Sequence, residues 1–185
     1  MAFIQVNQPS GTGFFVFPID EENVTARIPH DFTRAYPLAP FERNVSPKTF
    51  ASLKQRVGSG ALAVVGLWPD EAVTKKWELI VGGETCLFMR KSGLVGAGTV
   101  IHSERNRTLS EALFGKGGAG THELLILLAG VTSLSMPLDA FYGAIGRKSR
   151  APFKGFTTLS AENIARIEEK YGSIFGFMEA AAARS

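Results

Sequence analysis

Hydrophobic residues in this chain come in short runs cut off by glycine and proline, and that rhythm predicts many brief elements rather than a few long ones. Residues 62–67 form a continuous apolar run with β-branched content, the pattern of a strand buried on both faces. Residues 3–6 and 14–17 read as strands separated by a Pro9 to Gly13 loop, and 85–89, 94–102, 123–129 and 132–136 read as four more. A helix is predicted over Pro47–Val57, with Ser46 as N-cap, Pro47 at its first position, Phe50, Leu53 and Val57 on one face, and Gly58 as its stop. Pro69, Asp70 and Glu71 open a second helix that carries Lys75 and Lys76 in its last turn and closes on Trp77. Shorter helices are expected around 110–113 and from Pro137 to just before Gly146, and a longer one over Ala161–Tyr171. Between Pro18 and Ser46 the chain reads as irregular, anchored by Phe32, Tyr36 and Phe41; residues 180–183 read as a frayed end or linker.

This pattern predicts an α+β chain: a small β-barrel with short peripheral helices and an N-terminal extension. Its 185 residues, 45% hydrophobic and 20% charged, suffice for one domain plus an extension. The divisions read from the pattern are an extension over 1–60, the barrel over 61–178, and a tail over 179–185. Whether the first sixty residues complete the barrel, contact nucleic acid or contact a partner stays open. The single cysteine, Cys86, precludes an intrachain disulfide and a thiolate zinc site, and reads as a small buried hydrophobe. No apolar run approaches the ~20 residues of a membrane span, and the first residues lack a basic segment before an apolar core. The expectation is a soluble, cytoplasmic protein without a membrane partner.

Charge adds more by its placement than by its total of +3. Arg147, Lys148, Arg150 and Lys154 follow one another with no acid among them, and Arg90, Lys91, Arg105 and Arg107 face only Glu104. Two such groups suit a phosphate backbone, where each neutralised phosphate releases counterions; the plainer alternative is a solvated basic loop.

Motifs for catalysis are weak. Lys116 is followed by Gly117 rather than Ser or Thr, and a strand rather than a helix follows the glycine run, so a phosphate loop is not formed. His30, His102 and His122 lack metal-ligand spacing, no serine sits in a nucleophile elbow, and Asp70 and Glu71 read as dipole-matched acids at a helix start. No cofactor is implied. The aromatics are more informative. Trp68 directly follows the buried strand and precedes Pro69, which places its indole at the sheet rim, while Trp77 reads as core. Phe88 and Tyr142 would join Trp68 as a base cage if all three line one cavity; each also reads as an ordinary core aromatic.

The ordered set Trp77, Gly82-Gly83-Glu84, Leu87-Phe88-Met89-Arg90, 95–100, Asn106, Leu109, Ala112-Leu113-Phe114-Gly115, His122-Glu123-Leu124, Lys154-Gly155-Phe156 and Tyr171-Gly172 resembles the EVE-like branch of the PUA superfamily. The likeness is to the specificity domains of modification-dependent restriction endonucleases and covers about residues 62 to 175. Gly83-Glu84 stands where that family usually has Gly-Asp, and Leu113-Phe114-Gly115 where Leu-Trp-Gly is common. The resemblance implies a DNA-binding domain that flips a modified base into an aromatic pocket. Gly66, Leu67, Trp68, Phe88, Met89, Arg90, His102 and Ser103 would border that pocket, with Tyr142 beside them. Arg105, Arg107, Arg147, Lys148, Arg150 and Lys154 would hold the phosphates. The implied partner is modified double-stranded DNA, with cutting left to a linked or associated nuclease domain. Alternatives are an RNA-binding module for a modified or unpaired nucleotide, a nuclease with dispersed metal ligands, and a protein-interaction domain.

Overall fold

One sheet organises the chain, because its apolar runs are too short to be buried except side by side. The computed structural model describes residues 13–19, 26–27, 35–58, 60–115, 122–148, 153 and 155–182. The expected strand at 3–6, the anchor Phe32, the Lys116 to Gly120 connector, Arg150 and Lys154 lie outside them. The strands are β1 (Phe14–Pro18), β2 (Ala26–Arg27), β3 (Ala63–Leu67), β4 (Thr85–Arg90), β5 (Gly93–Arg105), β6 (Leu124–Pro137) and β7 (Thr157–Thr158). The helices are α1 (Ala39–Asn44), α2 (Pro47–Val57), α3 (Glu71–Trp77), α4 (Arg107–Phe114), α5 (Leu138–Ala144), α6 (Ala161–Tyr171) and α7 (Ile174–Ala182). The strands lie in the order β2-β3-β6-β5-β4-β1-β7, curled into a half-barrel, and the fold is mixed α+β. All pairs are antiparallel except β1 with β4.

Alternation along the strands sorts side chains into three cores. The concave face collects Phe15, Phe17, Val65, Leu67, Cys86, Phe88, Val100 and Ile126, closed by Ile80 and Phe156 and flanked by Val73 and Trp77 of α3. Burial raises the Cys86 thiol well above its ordinary range, with the neighbouring charge of Glu84 adding to the effect. On the opposite face, α5, α6 and α7 cover Phe14, Val16, Leu87, Met89, Leu134 and Met136. Towards the other end of that face, α1, α2 and α4 cover Val64, Leu125, Leu127 and Ile101.

Several expectations hold. The α2 helix has the predicted bounds, and Ser46 accepts the Thr49 N–H at 3.1 Å as its cap. Asp70 caps α3 by accepting the Val73 N–H at 2.8 Å, and Lys75 pairs with Glu71 at 2.6 Å on the exposed side. Tyr36 and Phe41 are buried anchors, although Phe41 sits on the short helix α1 rather than in an irregular stretch.

Other expectations need correction. The two expected strands at 123–129 and 132–136 are one, β6, which starts at Leu124, because Gly130 takes a φ of +60° and lets the chain bend without leaving the ladder with β5. Gly93 is fixed more rigidly: with φ +145°, a Cβ there would fall 2.0 Å from the Met136 carbonyl oxygen. The supposed tail 180–183 is, as far as Ala182, the end of α7, with Phe177 and Ala181 fully buried. The alanines there carry the inward stripe, and so small a side chain gives little periodic signal. The first sixty residues supply β1 and β2 to the sheet, with β1 pairing along β4 from Phe14 opposite Thr85.

Candidate nucleic-acid interface

Three neighbouring strands end on one rung: Leu67 of β3 and Arg105 of β5 both stand opposite Leu124 of β6. With strands about 4.8 Å apart, the residues just beyond, Trp68, Glu123 and Asn106, share a rim on the order of 10 Å wide. Trp68 is half-buried there, and its indole meets the His122 ring edge-on, with centroids 5.8 Å apart and planes at 79°. Gly66 makes the room: a Cβ at that position would come within 2.8 Å of the Phe114 ring and 3.0 Å of the His122 Cβ. The chain therefore holds the indole against its own His122 ring.

Cations flank this rim. Arg105 reaches Glu123 at 2.5 Å and Arg107 reaches Glu111 at 3.0 Å, while the two arginine side chains stay 59% and 70% exposed. Their carboxylate partners are less open, Glu123 at 17% and Glu111 at 29% exposure, so a phosphate at either arginine would compete with a held carboxylate.

Behind the rim lies a polar knot. Asn106 caps α4 by accepting the Leu109 N–H at 2.8 Å, and its amide donates to the Asn44 carbonyl at 2.7 Å and to Glu104 at 2.5 Å. The second Glu104 oxygen lies 3.2 Å from His102 Nε2. Burial pushes the Glu104 carboxyl up, but hydrogen bonds from His102 and Asn106 and the charge of His102 outweigh it and hold the group below the usual carboxylate value. A depressed folded-state value means that this stabilisation is complete above the unfolded carboxylate value of about 4.3 and is lost as pH falls through the folded one. Acid-unfolding curves of the native chain and Glu104→Gln are expected to diverge above that range and to converge below it. Parallel curves would mean that the carboxylate contributes no such term.

A second fixed feature borders the concave side. The buried Glu84 carboxylate accepts the N–H groups of Val81 at 2.9 Å and Gly82 at 2.8 Å, fastening a turn in which Gly82 and Gly83 take positive φ. Ile80 points inward, and its carbonyl receives a long 3.5 Å contact from Ser103 Oγ, while Leu79 and Val81 are exposed.

The expected pocket set is divided by the fold. Trp68, His102, Ser103, Arg105 and Arg107 gather at this end. Leu67 and Phe88 are sealed in the concave core, where Phe17 stacks on Phe156 at 4.7 Å and lies 6.2 Å from Phe88. Met89, one residue on, faces the opposite core. Arg90 is exposed beside Gly93, at the other end of β5 from Arg105. Tyr142 is buried on α5 under Arg147, whose guanidinium lies 4.9 Å from its ring and 4.2 Å from that of Phe153. Burial raises the Tyr142 hydroxyl above its ordinary value, partly offset by Arg147. Lys148 is exposed next to Arg147. The cage of Trp68, Phe88 and Tyr142 is thus replaced by three separate environments: Phe88 lies on one face of the sheet, Tyr142 in the helical layer on the other, and Trp68 past the end of β3.

Among the described residues, no three His, Cys, Asp or Glu side chains gather into a set that could hold a metal ion. Nor is any described helix long and apolar enough to cross a membrane. Compared with family models, curated proteins and solved structures, the chain finds no match. His122 carries no local signal for its place beside Trp68, because the two rings lie fifty-four residues apart in the chain. Asn106, three residues before Leu109 and ahead of an apolar helical stretch, carried a readable capping signal.

Proposed function

We propose that this protein is a nucleic-acid reader whose Trp68 rim takes one extruded, modified base from duplex DNA, in the manner of the EVE-like and PUA-like domains that its motif order resembles. The observation that carries this reading is a half-exposed indole, held edge-on by His122, with exposed arginines at the same end of the sheet. Aromatic side chains fill the concave interior, so the base lies on the rim and not within the barrel. Extrusion costs a few kcal/mol, and stacking returns about 1–3 kcal/mol per base; phosphate contacts from Arg105 and Arg107 supply the rest. In a modification-dependent restriction system, a separate domain or subunit would do the cutting.

Among the described residues, no second ring stands opposite Trp68, which favours one further reading: an unpaired RNA nucleotide would stack there without any extrusion cost. Fluorescence titrations with matched modified and unmodified duplexes, competed by single-stranded RNA, test both. Preference for a modified duplex, weakening with salt, is the expected result. Equal affinity across the common methylated and hydroxymethylated bases would overturn the DNA reading, and displacement by RNA would transfer the site to the second.

A further inference from the structure

Among the described residues, Leu79 and Val81 are the most exposed large hydrophobic side chains, at 69% and 81%. Their backbone is nonetheless held throughout. The Leu79 N–H donates to the Lys76 carbonyl at 3.3 Å, that of Ile80 to Trp77 at 3.0 Å and that of Gly83 to Val100 at 2.8 Å, while the buried Glu84 carboxylate accepts those of Val81 and Gly82. Ile80, between the two, is buried in the concave core. Two bare apolar side chains thus project from a turn whose five consecutive N–H groups are all bonded, so little backbone freedom remains to be lost when they are buried by a partner.

The turn stands at the Trp68 end of the sheet. Trp68 lies two residues before the Asp70 cap of α3 and Leu79 two residues after its last residue, Trp77, so a helix about 10 Å long lies between indole and tip. That length is close to the ~8.5 Å depth of a major groove. Ser103 Oγ reaches the Ile80 carbonyl, and Arg105, two residues further along β5, lies on the same face of the sheet as Ser103. Arg56, exposed on α2, donates to the Ile101 carbonyl at 2.6 Å and lies 3.8 Å from where a Cβ on Gly82 would stand. Glu78 is the exposed acid of the segment, outnumbered by Lys75, Lys76, Arg56 and Arg105. An apolar tip beside cations complements a base stack flanked by phosphates.

We infer that Leu79 and Val81 form a wedge that enters the base stack of duplex DNA and fills the gap left by the base that Trp68 receives. This inference rests on the duplex reading of the Trp68 rim. Unstacking costs a few kcal/mol per step, and apolar side chains inserted between bases are a general means of recovering it.

Binding of the full chain to DNA carrying one methylated or hydroxymethylated cytosine, or one methylated adenine, tests the wedge, with each base presented in a matched duplex, opposite a mismatch and in a single strand. The double variant Leu79→Ser, Val81→Ser changes two exposed positions and is expected to be folded by circular dichroism; Leu79→Gln with Val81→Thr, closer in size, replaces it if it is not. On the matched duplex that the native chain prefers, the variant is expected to bind about tenfold or more weakly, because the gap is left unfilled. The loss is expected to shrink opposite a mismatch, where extrusion costs less, and to vanish on the single strand, where no stack is entered. Any other order, including equal weakening on all three or none on any, would overturn the wedge; the Trp68 reading would survive if Trp68→Ala still removed the preference for the modified base. A native chain that prefers no modified duplex would overturn both together. Capture of the native chain by vesicles of phosphatidylcholine and phosphatidylserine, lost in the double variant while duplex binding is kept, would overturn the wedge and assign the tip to a membrane surface.

Discussion

Replacing Phe88 with alanine is expected to lower the stability of the fold by about 3–5 kcal/mol, a large share of the ~5–15 kcal/mol that a domain of this kind possesses. Phe88 is 1% exposed and lies in the concave core beside Phe17, which itself stacks on Phe156. Truncation would leave a void in the middle of a curled sheet, where strands held by their ladders cannot close over it. Urea denaturation gives the measurement, and Phe88→Leu serves as a milder variant that keeps the chain folded. Nucleic-acid affinity of the folded Phe88→Leu chain should match that of the native protein. Loss of affinity with little loss of stability would instead make the concave face a binding cavity.

Replacing Trp68 with alanine is expected to have the converse effect. If one base stacks on the indole, its loss removes about 1–3 kcal/mol, or roughly a 5- to 150-fold weakening. The change in stability should stay below that of Phe88→Ala, because Trp68 is only half-buried and touches His122 by an edge. Trp68→Phe keeps a flat apolar face and should recover part of the affinity, together with any preference for a modified base. Should Trp68→Ala unfold the chain as severely as Phe88→Ala, the indole would belong to the core; should affinity stay unchanged in a folded variant, the rim would not be the binding site.

Much of the architecture was legible because its signals are local. The cap, proline start and glycine stop of α2 occupy adjacent positions, as do the Asp70 cap and lysine-rich end of α3. The strand β3 announced itself by an unbroken apolar run whose five residues are all buried. What escaped detection depends on partners distant in the chain. The parallel pairing of β1 with β4 joins Phe14 to Thr85, and nothing in either segment names the other. The pattern predicts two strands where one long β6 runs, because the ladder with β5 that carries the chain across Gly130 leaves no local mark. The candidate site suffered in the same way. Trp68 follows β3 directly, but its neighbour His122 precedes β6, more than fifty residues on, and Tyr142 belongs to the helical layer.

From its residues alone, this chain is committed to strands and short capped helices, to a mixed α+β class, and to arginines near the ends of its strands. Those follow from periodicity, capping and composition, which act over a few neighbours. Tertiary structure alone decided which rings became core and which one stayed at the surface. The fate of a side chain depends on which face of the sheet it joins and what arrives from elsewhere to cover it. Phe88 met Phe17 and was sealed in; Trp68, one position past its strand, met the His122 ring at a steep angle and stayed half-buried.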